Sequence, residues 1–271
     1  VHTIGYCVAG TTLAATLAVL AARGQAEKVR SATFFTAQVD FSEAGDLNVF
    51  VDDEQLALIQ SLTTDGFLDG RYMAATFNLL RGRDLIWNYV SSNYLLGEDY
   101  MPFDLLHRNS HVTNLPAKWH ASYLADLYRD NRLAQAGALS IGDTPVDLGK
   151  VATPAYIQAG REDHIAPARS VWKITEHFTG SLRFVLAGSG HIAGVVNPPA
   201  AQKYQYWTND ADAATLEEFV AGATETKGSW WPDWMGWIEG FGEPRAEVKG
   251  ARIPKSKEGL GDAPGSYVKT R

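Results

Sequence analysis

Thiols and long apolar runs are what the sequence has least of. A single cysteine among 271 residues excludes an internal disulfide framework and argues against a zinc or iron–sulfur cage, since each needs several thiols. The longest uncharged apolar stretch, residues 8–22, is too short to span a bilayer, and no secretory signal is visible. We therefore expect a cytoplasmic protein with no membrane span and no bound metal.

Basic side chains are also in deficit, with 24 lysines and arginines against 31 acidic residues and a net charge of −7. Binding to nucleic acid requires a basic surface that neutralises phosphates, so this balance argues against a general nucleic-acid binder. A polyanionic ligand such as a coenzyme would have to meet a local basic patch. The hydrophobic share of 45% and the charged share of 20% are typical of a globular protein with a sizeable core.

Strands and helices alternate at both ends of the sequence. Residues 1–6 and 29–41 have the β-branched and aromatic bias of strands, and residues 11–23 between them have the composition of a buried helix. Alternation returns as a strand at 155–160, a helix at 168–178 and a strand at 182–186. This order predicts an α/β fold with a mostly parallel sheet and right-handed crossovers.

The predicted domain boundaries follow changes in amino-acid composition and in the alternation of strands and helices. Residues 1–40 and 143–242 form the α/β core, whereas the aromatic-rich, turn-broken residues 41–142 predict an inserted, mainly helical cap. Residues 243–271 contain three prolines and many charges, which favours an extended tail. Further helices are predicted at 53–62, 118–132, 215–225 and 234–241. The sheet would begin in mid-fold and there is no initiator Met, so we expect N-terminal core strands to be missing from this chain.

The segment Gly5-Tyr6-Cys7-Val8-Ala9-Gly10 lies between a predicted strand and a predicted helix. A nucleophile at such a sharp turn needs small neighbours, here Gly5 and Ala9, and the pattern resembles the nucleophile elbow of α/β-hydrolases with Cys in place of Ser. The helix N-terminus and the Val8 amide would face the sulfur and favour a thiolate and an oxyanion. A buried structural cysteine is the alternative for this motif taken alone.

Two later turns supply an acid and a histidine. Asp163 follows the predicted strand 155–160, and His191 follows the next predicted strand. In α/β-hydrolases the acid and the histidine come in this order after late strands, at the carboxyl edge of the sheet. Taken singly, Asp163 could be a helix cap and His191 a loop histidine. Together with the elbow they predict a Cys7–His191–Asp163 catalytic triad.

A closer resemblance rests on longer segments that cover nearly the whole chain. These are residues 5–10, 84–89, 101–106, 161–165, 190–199, 207–210, 228–234 and 264–269. They resemble the catalytic domain of class I poly(3-hydroxyalkanoate) synthases. The sequence departs from that family's pattern at Ala9, Arg108 and His111.

The resemblance implies polymerisation of (R)-3-hydroxyacyl-CoA, typically 3-hydroxybutyryl-CoA, into polyester with release of CoA. Cys7 would carry the acyl group as a thioester and His191 would accept the thiol proton. Asp163 would orient His191 or act with it on the 3-hydroxyl of the incoming monomer. The resemblance also implies a homodimer, formed through the insertion, at polyester granules in the cytoplasm. Coenzyme A would be a leaving group, so no cofactor is expected.

Several other side chains are candidates for substrate contacts. His164 and Arg161 are predicted to bind substrate, and Arg161, Arg81 and Arg83 are candidates for the CoA phosphates; ordinary surface positions are the alternative. Six aromatic residues are candidates for the wall of a dry channel, and most of them are expected to form the insertion's own core instead: Trp87, Tyr89, Tyr94, Phe103, Trp119 and Tyr123. Four tryptophans are expected in core or interface packing: Trp230, Trp231, Trp234 and Trp237.

Two other functions stay open from the sequence. A cysteine-elbow thioesterase or esterase would use the same triad with water as the acceptor, and an inactive granule-associated protein would keep the fold alone. In α/β-hydrolases one oxyanion-hole amide usually comes from a loop after an earlier strand. We therefore expect residues 1–271 in isolation to be weakly active or inactive.

Overall fold

The computed structural model describes residues 1–63, 65–80, 82–100 and 113–242. The predicted tail at 243–271 lies outside the described residues, as do Arg81, Phe103, Arg108 and His111. Within the described part of the chain, no helix is both long enough and apolar enough to cross a membrane.

A six-stranded sheet forms the framework. Its strands, in chain order and in order across the sheet, are β1 His2–Tyr6, β2 Ser31–Phe35, β3 Ala155–Gly160, β4 Leu182–Ala187, β5 Gln205–Thr208 and β6 Thr224–Lys227. Strands β1 to β4 are parallel, whereas β5 is antiparallel to both β4 and β6. The predicted α/β fold with a mostly parallel sheet is confirmed.

The chain leaves the sheet between two neighbouring strands. Strands β2 and β3 pair directly, with Ala32 opposite Ala155 and Phe35 opposite Gln158. Among the described residues between them, none joins the six-stranded sheet, and the only strands there are two-residue ladders. These are Phe67–Leu68 with Leu115–Pro116, and Ser140–Ile141 with Thr144–Pro145. The cap boundaries at 41 and 142 stay a prediction.

Helices of three kinds occur in the described chain. The α-helices are α1 Val8–Ala22, α2 Asp53–Ser61, α3 Gly70–Leu80, α4 Ala117–Ser122, α5 Ala168–Trp172, α6 Ile174–His177, α7 Leu216–Gly222 and α8 Trp231–Glu239. The π-helices are Arg83–Trp87, Val90–Leu95 and Tyr123–Arg129. The 3₁₀ turns are Ala26–Lys28, Gly45–Phe50, Arg132–Ala134, Leu148–Lys150 and Pro199–Ala201.

Three helix predictions need correction. The helix expected at 118–132 is α4 followed by a π-helix, which widens the turn. The helix expected at 168–178 is two short helices, α5 and α6. The helix expected at 215–225 ends at Gly222, and the chain then enters β6. The threonines of that strand carry the β-branched bias that favours extended backbone.

Hydrophobic side chains form two clusters on the two faces of the sheet. Successive side chains of β3 alternate between them, with Ile157 and Ala159 in the larger cluster and Tyr156 in the smaller. Helix α1 packs in the larger cluster through Ala14, Leu17 and other small or apolar residues. Because α1 is apolar on every side and starts directly after β1, it fixes the position of the β1–α1 turn.

Candidate active site

Cys7 lies at the turn between β1 and α1. Its backbone has φ 54° and ψ −126°, a conformation that costs energy for a non-glycine residue and that clusters at functional sites. The Cys7 N–H donates a hydrogen bond to the Phe35 carbonyl of the neighbouring strand, 2.9 Å away, which holds the turn against the sheet. The Cys7 side chain is half-buried. The predicted sharp strand-to-helix turn is confirmed.

The small residues that permit this turn include Gly5, as predicted, and Gly10, which the sequence did not single out. A Cβ added to Gly5 would lie 2.5 Å from the Cα of Gly10, and a Cβ on Gly10 would collide with the Cβ of Ala37. Ala9 is exposed. One helical turn brings the residue three positions after Cys7 back onto β1, which explains why Gly10 makes the close approach.

Asp163 and His191 form a buried hydrogen-bonded pair. The Asp163 Oδ2 atom lies 2.7 Å from His191 Nδ1, and the two residues are 7% and 9% exposed. The other carboxylate oxygen, Oδ1, accepts hydrogen bonds from the backbone N–H groups of Ile165 and Ala166, at 2.8 and 2.9 Å. Asp163 therefore caps its turn and orients the imidazole at the same time.

His191 also makes a side-chain hydrogen bond to Cys7, which joins the three predicted residues into one chain. Burial opposes the charged imidazolium, but the hydrogen bonds and charges of Asp163 and Cys7 outweigh it and raise the pKa of His191 to about 9. An imidazole with this pKa carries a proton at neutral pH. The arrangement can remove a proton from the sulfur and hold it.

The loop that carries His191 is fixed by aromatic residues that sequence reasoning did not assign to the site. The Tyr6 hydroxyl donates to the His191 carbonyl at 3.1 Å, and the Tyr6 ring lies against the imidazole with centroids 5.2 Å apart. The indole N–H groups of Trp230 and Trp231 donate to the carbonyls of Gly194 and Val195, at 2.7 and 2.9 Å. The tryptophan cluster expected in core packing therefore also anchors the histidine loop.

A cavity of about 450 Å³ opens at Cys7. Its walls are mostly aliphatic and aromatic, from the Gly45–Phe50 turn, α2, α3, α4 and the Tyr123–Arg129 π-helix. Of the six aromatic residues predicted to wall a channel, Trp119 and Tyr123 line this cavity. Trp87 and Tyr94 are 64% and 84% exposed, so their predicted role was wrong. Tyr89 is not part of the lining and packs on Tyr100 instead.

Two tyrosine hydroxyls accompany the sulfur in the cavity. Tyr123 and Tyr128 are hydrogen-bonded to each other, and burial together with the charge of Cys7 raises the pKa of both phenols. Residues five positions apart align in a π-helix, so the Tyr123–Arg129 segment places both rings on one face, with centroids 5.8 Å apart. A regular α-helix would rotate one of them away. This pairing could not be predicted from 3.6-residue periodicity.

Residues 1–198 match the model of the alpha/beta hydrolase fold family. The chain belongs to that family. This assignment agrees with the parallel sheet, the cysteine at the β1–α1 turn and the acid and histidine that follow β3 and β4.

Curated relatives are similar along the whole chain. The chain is 51% identical over 272 residues to the poly(3-hydroxyalkanoate) polymerase subunit PhaC of Rhizobium meliloti (strain 1021), covering 100% of the chain and 44% of that protein. It is 47% identical over 271 residues to the poly(3-hydroxyalkanoate) polymerase of Methylorubrum extorquens, covering 98% and 44%. For PhaC of Cupriavidus necator (strain H16) the identity is 42% over 277 residues, covering 100% and 47%. The chain thus spans less than half the length of these relatives.

Solved structures resemble the chain more distantly. The monoacylglycerol lipase of Paleococcus ferrophilus shares 15% identity and a TM-score of 0.37, over 70% of this chain and 59% of the lipase. The putative bromoperoxidase BpoC of Mycobacterium tuberculosis H37Rv shares 13% identity and a TM-score of 0.40, over 70% and 59%. Scores of this size add nothing to the fold assignment.

Of the predicted oxyanion-binding and substrate-binding residues that the structure describes, only Val8 lines the cavity at Cys7. Val8 is the first residue of α1, so its N–H has no acceptor within the helix, and its side chain lines the cavity. Arg161 is exposed and stacks over the Trp207 ring at 4.7 Å, and His164 is half-buried directly after Asp163. Neither residue lines the cavity, and Arg83 is exposed. Their roles in substrate binding stay predictions.

Proposed function

We propose that this chain is the catalytic part of a poly(3-hydroxyalkanoate) polymerase. It would transfer (R)-3-hydroxyacyl groups from CoA to a growing polyester through a thioester on Cys7. The observation that carries the proposal is the hydrogen-bonded Cys7–His191–Asp163 chain at the opening of an apolar cavity. Identity of 42% and 51% to curated polymerases over 277 and 272 residues supports it.

The first step is an exchange between two thioesters. The Cys7 sulfur, with its proton held on His191, attacks the acyl carbon of the CoA thioester, and Asp163 stabilises the imidazolium. The bond to the CoA sulfur breaks, and CoA leaves as a thiol with the proton that His191 returns. Because one thioester replaces another, the free-energy change is small. The Val8 amide would donate to the oxyanion that forms between the two states.

The second step transfers the acyl group to an alcohol. A hydroxyl oxygen of the monomer or chain attacks the acyl carbon, His191 takes the hydroxyl proton, and the bond to Cys7 breaks to give back the thiol. Polymerisation requires the acyl-enzyme to avoid water. The apolar cavity that opens at Cys7 supports this, since its lining is dominated by aliphatic and aromatic side chains.

The proposal extends to partners and location. The substrates are (R)-3-hydroxyacyl-CoA and the polyester chain, and coenzyme A is a leaving group, so no resident cofactor is needed. The family resemblance supports a homodimer in the cytoplasm at polyester granules. Concentration-dependent sizing of the purified protein tests the dimer, and fractionation of cells with and without granules tests the location.

Incubation of the intact protein, not of residues 1–271 alone, with 3-hydroxybutyryl-CoA tests the reaction. We expect release of CoA together with insoluble polyester, and an acyl group on Cys7 in quenched samples analysed by mass spectrometry. Stoichiometric free 3-hydroxybutyrate without polymer would instead identify a thioesterase. Release of CoA by a Cys7→Ala variant at the unmodified rate would contradict the catalytic role of the sulfur.

A further inference from the structure

His120 is a buried polar residue in the wall of the cavity. It lies in α4, is 5% exposed and contributes to the lining together with Cys7, Tyr123 and Tyr128. Its Nδ1 atom is buried without a hydrogen-bond partner. Among the described residues, neither ring nitrogen forms a hydrogen bond. Buried polar side chains in folded proteins nearly always have partners, so this exception needs an explanation.

Burial fixes the chemical state of the His120 ring. Loss of solvation lowers the pKa of His120, so the imidazole is neutral at physiological pH, with one N–H donor and one nitrogen lone pair. Nδ1 is fully enclosed. In folded proteins a buried N–H donor without an acceptor is rarer than a buried acceptor without a donor, so the favoured tautomer has the lone pair on Nδ1. The proton then lies on Nε2, which is left to donate.

The position of His120 relates it to the reacting sulfur. His120 precedes Tyr123 by three residues, so the two side chains share a face of the helical segment, and the π-helix adds Tyr128 to that face. Tyr123 and Tyr128 lie close enough to Cys7 for its charge to affect them. One wall of this mostly apolar cavity therefore carries polar groups that begin beside the sulfur and include His120.

We infer that His120 is a substrate-binding residue that donates a hydrogen bond to the 3-oxygen of an acyl group held on Cys7. This inference rests on the proposed function and adds the residue that distinguishes a 3-oxygenated acyl chain from a plain one. The 3-oxygen is a hydroxyl in a monomer and an ester oxygen in a growing chain, so one donor serves both. A plain acyl chain leaves the imidazole unpaired, as it is in the free protein.

The test compares acylation of Cys7 by 3-hydroxybutyryl-CoA and by butyryl-CoA in single-turnover experiments followed by intact-protein mass spectrometry. Replacing His120 by Phe keeps a ring and removes the donor. We expect acylation by the hydroxylated substrate to slow about 3- to 10-fold, the size of one neutral hydrogen bond, and acylation by butyryl-CoA to stay within about twofold. His120→Gln, which keeps an N–H donor, should recover part of the difference.

Two controls separate binding from structure. Met73→Leu alters another lining side chain without changing its polarity, so the ratio of the two rates should not change. Because His120 has no hydrogen-bond partner among the described residues, His120→Phe should keep or raise the melting temperature, whereas replacing a structural histidine would lower it.

The possible outcomes distinguish failure of the His120 inference from failure of the proposed function. If neither thioester acylates Cys7 in the intact, unsubstituted protein, the proposed function fails and this inference fails with it. If both thioesters acylate Cys7 but His120→Phe slows them equally, or slows neither, the role of His120 is overturned and the proposed function stands. A selective loss with the hydroxylated substrate supports the inference.

Discussion

Cys7 combines a strained backbone with an ordered hydrogen-bond network. Its positive φ keeps the sulfur at the apex of the turn, where His191 reaches it and the cavity opens. Replacement by Ala removes the sulfur at the same backbone position. We expect Cys7→Ala to lower CoA release from 3-hydroxybutyryl-CoA by at least about 1,000-fold, since removal of a nucleophile from a triad has effects of that order or larger. A stopped assay that quantifies free CoA measures this.

Substitution of Asp163 by Asn removes the negative charge of the side chain and keeps its shape. In Asp163→Asn the amide keeps hydrogen bonds to the turn but loses the negative charge that holds the imidazolium. We expect turnover to fall by about 1,000-fold or more, and the pKa of His191 to drop below its value of about 9. Histidine titration by NMR and the pH profile of acylation measure the two effects. Asp210→Asn, at an exposed partner of Arg183, should change neither.

Residue identities could be predicted where the sequence itself marks them. Cys7 is flanked by an elbow pattern, and Asp163 and His191 follow strands that are apparent from composition, so their convergence could be anticipated. Tyr6 and His120 could not be placed, because their contacts depend on the loop after β4 and on the path of α4. The role of Gly10 could not be predicted either, because only the position of the helix shows that Gly10 faces β1.

The junction of β1 and α1 depends on close contact between two glycines. A methyl group at Gly10 would collide with Ala37 and press α1 away from the strand. We expect Gly10→Ala to lower the free energy of unfolding by roughly 1–3 kcal/mol, typical of overpacking, and to lower turnover further by moving the elbow. Urea unfolding and CoA release measure the two effects.

A matched substitution shows whether the effect is steric. A Cβ at Gly236, in α8, would meet no atom within 4 Å. Gly236→Ala should therefore leave stability unchanged or raise it by up to about 1 kcal/mol, because alanine favours helix. Equal destabilisation by both substitutions would show that the close contact at the elbow is unimportant.

The position of the loop that carries His191 depends on the tryptophans of the smaller hydrophobic cluster. Trp230→Phe leaves the Gly194 carbonyl without its donor, so we expect a loss of roughly 1–3 kcal/mol in unfolding free energy and a several-fold fall in turnover as His191 loses its support. Trp237→Phe is the control in the same cluster, since the Trp237 indole has no hydrogen bond to a described residue. Thermal unfolding and turnover are measured on both variants. Equal losses would argue against the anchoring role.

Elements could be predicted from sequence to different extents. Strands β2 and β3 and most of β4 are buried and rich in apolar or β-branched residues, whereas β1 is an edge strand that was anticipated from its β-branched and aromatic bias. The strand expected at 29–41 is shorter and ends at Phe35. The antiparallel strands β5 and β6 are half-exposed or exposed and carry polar residues, so composition does not distinguish them from loops. The π-helices were missed, since their i+5 hydrogen bonds leave no periodic pattern in a short segment.

At the scale of the whole molecule, stability should depend on pH through His191. Its pKa is raised from 6.5 to about 9 on folding, so the folded state binds the proton more tightly than the unfolded state. This contribution is complete below pH 6.5, declines as the pH rises and is lost above pH 9. It amounts to roughly 2–4 kcal/mol. Urea unfolding at pH 6.5 and 9 should show the decline, and Asp163→Asn should show much less of it.

The cavity illustrates a limit of sequence reasoning at the same scale. Aromatic residues in the segment between β2 and β3 indicated a dry channel, and a mostly apolar cavity of about 450 Å³ is present. Composition could not show which aromatics face it, because that depends on how α2, α3 and α4 pack around the elbow. Most of the lining is aliphatic, which aromatic content alone does not reveal.

Cys7 is the only thiol in the 271 residues, and it lies half-buried at the cavity opening. An alkylating reagent such as iodoacetamide therefore has one place to react, and the equivalents consumed count the molecules whose sulfur is free and accessible. The absence of a second cysteine from these 271 residues also makes Cys7 sensitive to oxidation. A sulfenic acid on Cys7 has no second thiol in the chain with which to form a disulfide, so it advances to sulfinic acid unless an external thiol such as glutathione intercepts it.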